Sequence, residues 1–140
     1  MNILGVILAR KGSKGVKNKN HLKLNGKNLI EIAIESAKKS KKLSKIIFST
    51  DDKVLKKQAE KLGISAPFLR PKKISGDKST DMECFKHFIN WWKKKYHTIP
   101  EIIYHLRITS PFRKKNNLIK AKNSFLKNKS FSSLRSLTIV

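Results

Sequence analysis

Apolar runs and helix-period stripes alternate along the whole chain. Residues 3–8, Ile-Leu-Gly-Val-Ile-Leu, form an unbroken apolar run, the pattern of a strand covered on both faces. After His21-Leu22-Lys23-Leu24 and a turn at Asn25-Gly26, a helix is predicted from about Asn28, with Leu29, Ile30, Ala33, Ile34 and Ala37 in one stripe. Residues 46–50 predict a second strand. The helix predicted over about 52–62 carries Val54, Leu55, Gln58, Ala59 and Leu62 on one face and stops at Gly63. A third strand, Ala66-Pro67-Phe68-Leu69, leads into Arg70-Pro71. Thr80-Asp81-Met82-Glu83 has capping-box spacing, so a third helix should start at Thr80 with Met82, Phe85, Phe88 or Ile89, and Trp92 inward. Lysines 93–95 near its end suit the helix dipole. Residues 102–108 predict a fourth strand, and 116–127 a fourth helix packing Leu118, Ala121 and Phe125. Residues 131–140 predict a fifth strand with Leu134, Ser136 and Thr138 on one side.

Such alternation implies βαβ crossovers and an α/β fold with a mostly parallel sheet covered on both faces. The polar clusters 9–20, 49–52, 70–81 and 107–113 each follow a strand and precede a helix, so all four should meet at one edge of the sheet. One edge means one site.

The 140 residues suit one domain, and no run approaches the ~18 apolar residues of a membrane span. With no signal sequence at the amino terminus, the expected location is the cytoplasm. Cys84, the single cysteine, excludes an intrachain disulfide and reads as inert core; no Cys/His cluster has zinc spacing. A formal charge of +24 suggests nucleic acid or an anionic membrane. However, the lysines are scattered over nearly every predicted polar helix face, and Phe85, Phe88 and Trp92 fall at core spacing instead of forming a stacking platform. Neither nucleic acid nor membrane is therefore the expected partner.

The arginines are more informative. Arg10, Arg70, Arg107 and Arg113 fall at predicted strand ends or in the following loops, and Arg135 falls inside the last strand. A planar guanidinium there points to directed bonds to phosphate, carboxylate or a base edge, since nine acidic residues leave few carboxylate partners. In the first loop, Gly12 and Gly15 expose backbone N–H groups beside Arg10 and Lys14, which suits a polyphosphate. The stretch is neither a Walker A loop nor a G-x-G-x-x-G turn, and alone it also fits an ordinary surface loop. Asp51 or Asp52 is expected to cap the second helix.

Ala9-Arg10-Lys11-Gly12-Ser13-Lys14-Gly15 with Asn20, then Ser49-Thr50-Asp51-Asp52, then Pro67-Phe68-Leu69-Arg70-Pro71, and finally Thr109-Ser110-Pro111-Phe112-Arg113 stand in order. Together they resemble the acylneuraminate (CMP-sialic acid synthetase) cytidylyltransferase family, over the amino-terminal part of a family member. The resemblance implies a three-layer αβα nucleotide-diphospho-sugar transferase fold, truncated at its carboxyl end. It also implies transfer of CMP from CTP to a 2-keto sugar acid with release of pyrophosphate, using Mg2+, for cell-surface polysaccharide biosynthesis, and a homodimer in full-length relatives.

By the same resemblance, Arg10 and Lys14 hold the triphosphate as catalytic groups, helped by Ser13 and by the loop backbone at Leu8, Ala9, Gly12 and Gly15. Asn20 contacts the nucleoside, and Arg70 helps to read the cytosine. Thr80 and Asp81 line the nucleotide pocket, while Arg107, Thr109, Ser110 and Arg113 lie on the sugar side. Lys14→Ala and Arg70→Ala are expected to leave the chain folded, because both side chains are predicted on exposed loops.

Two positions depart from the family pattern. Arg107 stands where many members carry glutamine, and Asp81 where a small hydroxyl residue is common. The family's metal-binding carboxylates and its sugar-binding, dimerising segment lie beyond the part matched here, so no metal ligand is assigned within the chain. The expectation is a chain that binds CTP with little or no transferase activity of its own. The alternatives are a cytidylyltransferase for a pseudaminic, legionaminic or octulosonic acid, or a non-catalytic module for nucleotides or polyanions.

Overall fold

The computed structural model describes residues 3–12, 19–114 and 116–136. Its centre is β1 (Ile3–Leu8), which pairs in parallel with both β4 (Lys45–Ser49) and β5 (Ile102–His105) in the order β4-β1-β5. Between β1 and β4 come a two-stranded ribbon, β2 (Lys23–Leu24) with β3 (Lys27–Asn28), and helix α1 (Leu29–Lys39). Helices α2 (Lys53–Lys61) and α3 (Asp81–Tyr96) separate β4 from β5, and α4 (Asn117–Lys127) follows β5.

The unbroken apolar run of β1 is explained by two cores. Ile7, Ala9 and Phe48 pack with Ile30, Ala33, Ile34 and Ala37 of α1, Leu55 and Ala59 of α2, and Leu118 of α4. Leu4, Val6 and Ile47 pack instead with Phe88 and Trp92 of α3. Neighbouring strand residues point to opposite faces, so these clusters sandwich the sheet and make three layers. A Cβ on Gly5 would lie 2.7 Å from Leu43 Cδ1 and 3.1 Å from Leu106 Cδ1, so a side chain here would have to displace these leucines.

The helices start where local chemistry puts them. Asn28 and Glu31 make a reciprocal capping box on α1, and Thr80 and Glu83 make another on α3. Asp52 caps α2 by accepting the Val54 and Leu55 N–H groups at 2.6 and 3.3 Å. Asn25 and Gly26 both have positive φ, 52° and 80°, which closes the β2–β3 ribbon as a tight hairpin. Among the described residues no helix is long and apolar enough to cross a membrane.

Several expectations fail. The third strand is reduced to isolated parallel bridges, Ser65 to Ile47 and Leu69 to Thr50, because Pro67 has no N–H for a ladder. The fourth strand ends at His105, three residues early, although Leu106 N–H still donates to Val6 O at 2.9 Å. Residues 131–136, and Arg135 with them, are exposed and form no strand, while 137–140 lie outside the described residues. With so few apolar side chains, that segment has little to bury. Val54 and Met82, predicted inward, are exposed, and Cys84 takes the buried place on α3.

Candidate functional site

At the carboxyl ends of the sheet strands a cleft of about 310 Å³ opens. Leu8 at the end of β1 and Ala9, Arg10 and Gly12 of the first loop line it with Asn20, and Arg70, Asp81, Arg107 and Thr109 reach it from the later clusters. Thr80 caps α3 outside the lining. Ser110 N–H and Arg113 Nη2 both donate to Arg107 O, at 3.3 Å each, so these two residues brace the loop behind the cleft. Burial lowers the pKa of the Arg113 guanidinium. Ser13, Lys14 and Gly15 lie outside the described residues.

Arg10 Nη1 lies 2.8 Å from Asp77 Oδ1 at the half-exposed rim. Below it, Asn20 is buried and donates through Nδ2 to Arg10 O at 2.9 Å, which fixes the loop backbone. Its Oδ1 is buried too, with no hydrogen-bond partner among the described residues.

Arg70 is not on an exposed loop, contrary to expectation; it is 5% exposed. Nη2 donates to Ala9 O at 3.2 Å, Nη1 to Ser49 O at 3.4 Å and Nε to Ser75 Oγ at 2.9 Å, with Asp51 Oδ1 3.9 Å away. The physical reason is that Ala9 and Ser49 stand at the carboxyl ends of neighbouring parallel strands, where the buried Ala9 carbonyl needs a donor and Ser49 O, which already accepts the Ala9 N–H at 3.0 Å, has room for a second. One planar fork with several donors serves both. Asp51 Oδ1 also accepts the Lys11 N–H at 2.9 Å, tying the first loop to the second cluster.

On the far wall Asp81, the first residue of α3, meets Arg107 Nη2 at 2.5 Å through Oδ2. His105 Nδ1 lies 3.8 Å from the same oxygen, and its ring stands edge-on to Phe85 with centroids 5.1 Å apart. Burial depresses the His105 pKa; Asp81 opposes this, and Arg107 and Arg113 add to it. His105 and Asp77 were missed from sequence as site residues. Their signal was position, His105 as the last residue of β5 and Asp77 within the third polar cluster. Cys84, buried as expected, also lines the cleft and donates weakly to Ile74 O at 3.6 Å; burial pushes its thiol pKa up.

Three loop arginines thus meet carboxylates despite the scarcity of acids: Arg10 with Asp77, Arg70 with Asp51, and Arg107 with Asp81. Of the cleft carboxylates, Asp77 and Asp81 are engaged in this way. No group of three or more His, Cys, Asp or Glu side chains is gathered among the described residues. These residues therefore do not by themselves form a Mg2+ cage. The arrangement offers the guanidinium groups of Arg10 and Arg107, each beside a carboxylate, above a backbone floor tied by Asn20 and Arg70.

The family model described as Cytidylyltransferase matches residues 4–138. The chain is 37% identical over 119 residues to N-acylneuraminate cytidylyltransferase of Escherichia coli O18:K1:H7 (strain RS218 / NMEC), covering 85% of this chain and 27% of that protein. It is 34% identical over 130 residues to pseudaminic acid cytidylyltransferase of Campylobacter jejuni subsp. jejuni serotype O:23/36 (strain 81-176), covering 93% and 56% respectively. Among solved structures, CMP:2-keto-3-deoxy-manno-octonic acid synthetase complexed with CTP is similar in fold, with a TM-score of 0.72 at 18% identity, covering 93% of this chain and 49% of that one. The chain thus spans about half or less of the length of these relatives.

Proposed function

The chain belongs to the cytidylyltransferase family, and on that footing we propose that its cleft binds CTP for transfer of CMP to a 2-keto sugar acid of the N-acylneuraminate type. The observation that carries this reading is the convergence of three sequence clusters, 9–20, 70–81 and 107–113, on one cleft at the strands' carboxyl ends, with the fourth, 49–52, bonded to Lys11 and Arg70 behind it. In the reaction the sugar's anomeric oxygen forms a bond to the α-phosphorus, the bond from that phosphorus to pyrophosphate breaks, and the hydroxyl proton leaves to solvent. The protein's task is mainly alignment and neutralisation of charge.

Arg10 and Lys14 hold the triphosphate in this reading, with Ser13 and the N–H groups of Gly12 and Gly15 around it. The buried Asn20 Oδ1 is an acceptor for the nucleoside. Arg70 acts through the Ala9 and Ser49 carbonyls, which it holds in place. Arg107, Thr109, Ser110 and Arg113 form or brace the sugar side. Mg2+ would arrive with the nucleotide, bound by phosphate oxygens and water.

Calorimetric titration with CTP and Mg2+, beside ATP, GTP and UTP, tests the nucleotide half. Selective binding of CTP is expected, and Lys14→Ala should weaken binding of every triphosphate. Equal affinity for all four, or none, refutes the reading. Retention on heparin or DNA with a steep salt dependence and no nucleotide preference would favour a polyanion-binding module.

A further inference from the structure

Two oppositely charged side chains of the cleft lining touch each other. Asp81 opens α3 while Arg107 follows β5, yet their side chains meet at 2.5 Å, with His105 at 3.8 Å from the same carboxylate oxygen. Paired, the two charges leave the local balance near zero. A lone carboxylate here would repel an entering anion, and a lone guanidinium would attract any anion at all. The pair is also open to solvent, with side chains 57% and 46% exposed, so it holds together only weakly.

Arg70, by contrast, is buried and committed to backbone carbonyls. Arg107 is therefore the cation of this wall that can be handed over. When Asp81 lets go, the charged groups around His105 are Asp81 itself from α3 and Arg107 and Arg113 from the loop after β5. His105, whose imidazole can gain a proton, is the partner within reach of Asp81.

We propose that Asp81 and Arg107 are an exchange pair that selects a ligand bearing a carboxylate. The ligand's carboxylate takes the guanidinium fork of Arg107, and Asp81 turns to the His105 imidazole. Burial disfavours the charged form of His105 in the empty cleft; as Asp81 turns toward it, the ring takes a proton from solvent. The inference rests on the acceptor being an acidic sugar and names what would read its acid group.

The test uses the full chain and pyruvate, the smallest 2-keto acid, with methyl pyruvate as the neutral control. NMR follows the His105 imidazole and the Arg107 guanidinium. Pyruvate and not the ester should shift both signals, and the His105 titration midpoint should rise with pyruvate. Asp81→Asn removes the internal competitor and should tighten pyruvate binding about two- to fivefold, equivalent to ~0.4–1 kcal/mol at 1.4 kcal/mol per tenfold. Arg107→Gln should abolish the discrimination between acid and ester in both backgrounds.

Equal or weaker pyruvate binding by Asp81→Asn, acid–ester discrimination that survives Arg107→Gln, or no discrimination at all overturns the proposal. If Asp81 were only a strut between α3 and the loop, Asp81→Asn would lower stability without tightening pyruvate. CTP titration of the same samples reads the nucleotide assignment separately. Loss of CTP selectivity with the pyruvate pattern intact sinks that assignment alone, and the reverse result sinks the exchange pair alone.

Discussion

Replacing Arg70 with alanine should destabilise the fold more than replacing any other loop arginine. Ala9 is buried and its carbonyl oxygen would lose the Nη2 donor at 3.2 Å, a cost of about 1–3 kcal/mol for an unmet buried acceptor. Ser49 O loses only a long contact of 3.4 Å and keeps the Ala9 N–H at 3.0 Å, so it adds little. Asp51 loses a cation at 3.9 Å while retaining the Lys11 N–H, worth on the order of 1 kcal/mol in this mostly buried setting. The total is about 2–4 kcal/mol, a large fraction of the ~5–15 kcal/mol that holds a domain together.

In urea, with a slope of about 1–3 kcal/mol per molar, the midpoint should fall by roughly 1–2 M. Arg70→Lys should recover part of the loss, because one ammonium cannot span Ala9 O and Ser75 Oγ as a fork does. Arg10→Ala, which breaks a rim pair, should cost no more than ~1 kcal/mol. If Arg70→Ala leaves the urea midpoint at the wild-type value while nucleotide affinity falls, Arg70 is a ligand contact and not a strut.

Gly5→Ala should cost about 1–3 kcal/mol through overpacking against Leu43 and Leu106, and adding Leu43→Ala should return part of it; strictly additive losses in urea melts would refute the shared clash. Burial pushes the pKa values of His87 and His105 below 6.5, so the unfolded chain takes up these protons first as pH falls. Their stabilising contribution is complete above about pH 6.5 and is lost on acidification through the lower folded values. The thermal midpoint should therefore drop between pH 7 and 5, less steeply with both histidines changed to glutamine. Glu35, held low by Lys27, and Glu83, held low by Thr80, lose their contributions only below 4.5, a separate window. A flat profile from pH 7 to 5 would contradict the histidine assignment.

Where sequence and structure agree, the signal is local. The capping boxes at Asn28 and Thr80 and the carboxylate of Asp52 start their helices because the side chain that ends the preceding loop also satisfies the first N–H groups. The apolar run of β1 required a strand covered on both faces, and the alternation of elements brought the polar clusters to one edge. What stayed hidden depends on partners distant in sequence. Nothing in Leu69-Arg70-Pro71 says that the arginine turns inward to carbonyls 21 and 61 residues away. The β2–β3 ribbon escaped notice because two-residue strands carry no periodicity, although its turn was legible in Asn25-Gly26. The pairing of Arg107 with Asp81 joins positions 26 apart on different elements, so composition alone suggested arginines short of partners.

The placement of β1 sets the order of events during synthesis. Of the three sheet strands it is made first, yet it lies between a strand beginning at Lys45 and another beginning at Ile102. At roughly 5–20 residues per second, about 5–20 s separate the making of β1 from that of β5. Through that interval one edge of a wholly apolar hexapeptide lacks its strand, and closing the sheet must bridge about 100 residues of intervening chain. The nascent chain is thus most prone to self-association while the cleft's later wall is still unmade, and chaperone demand should fall sharply once Ile102–His105 emerges.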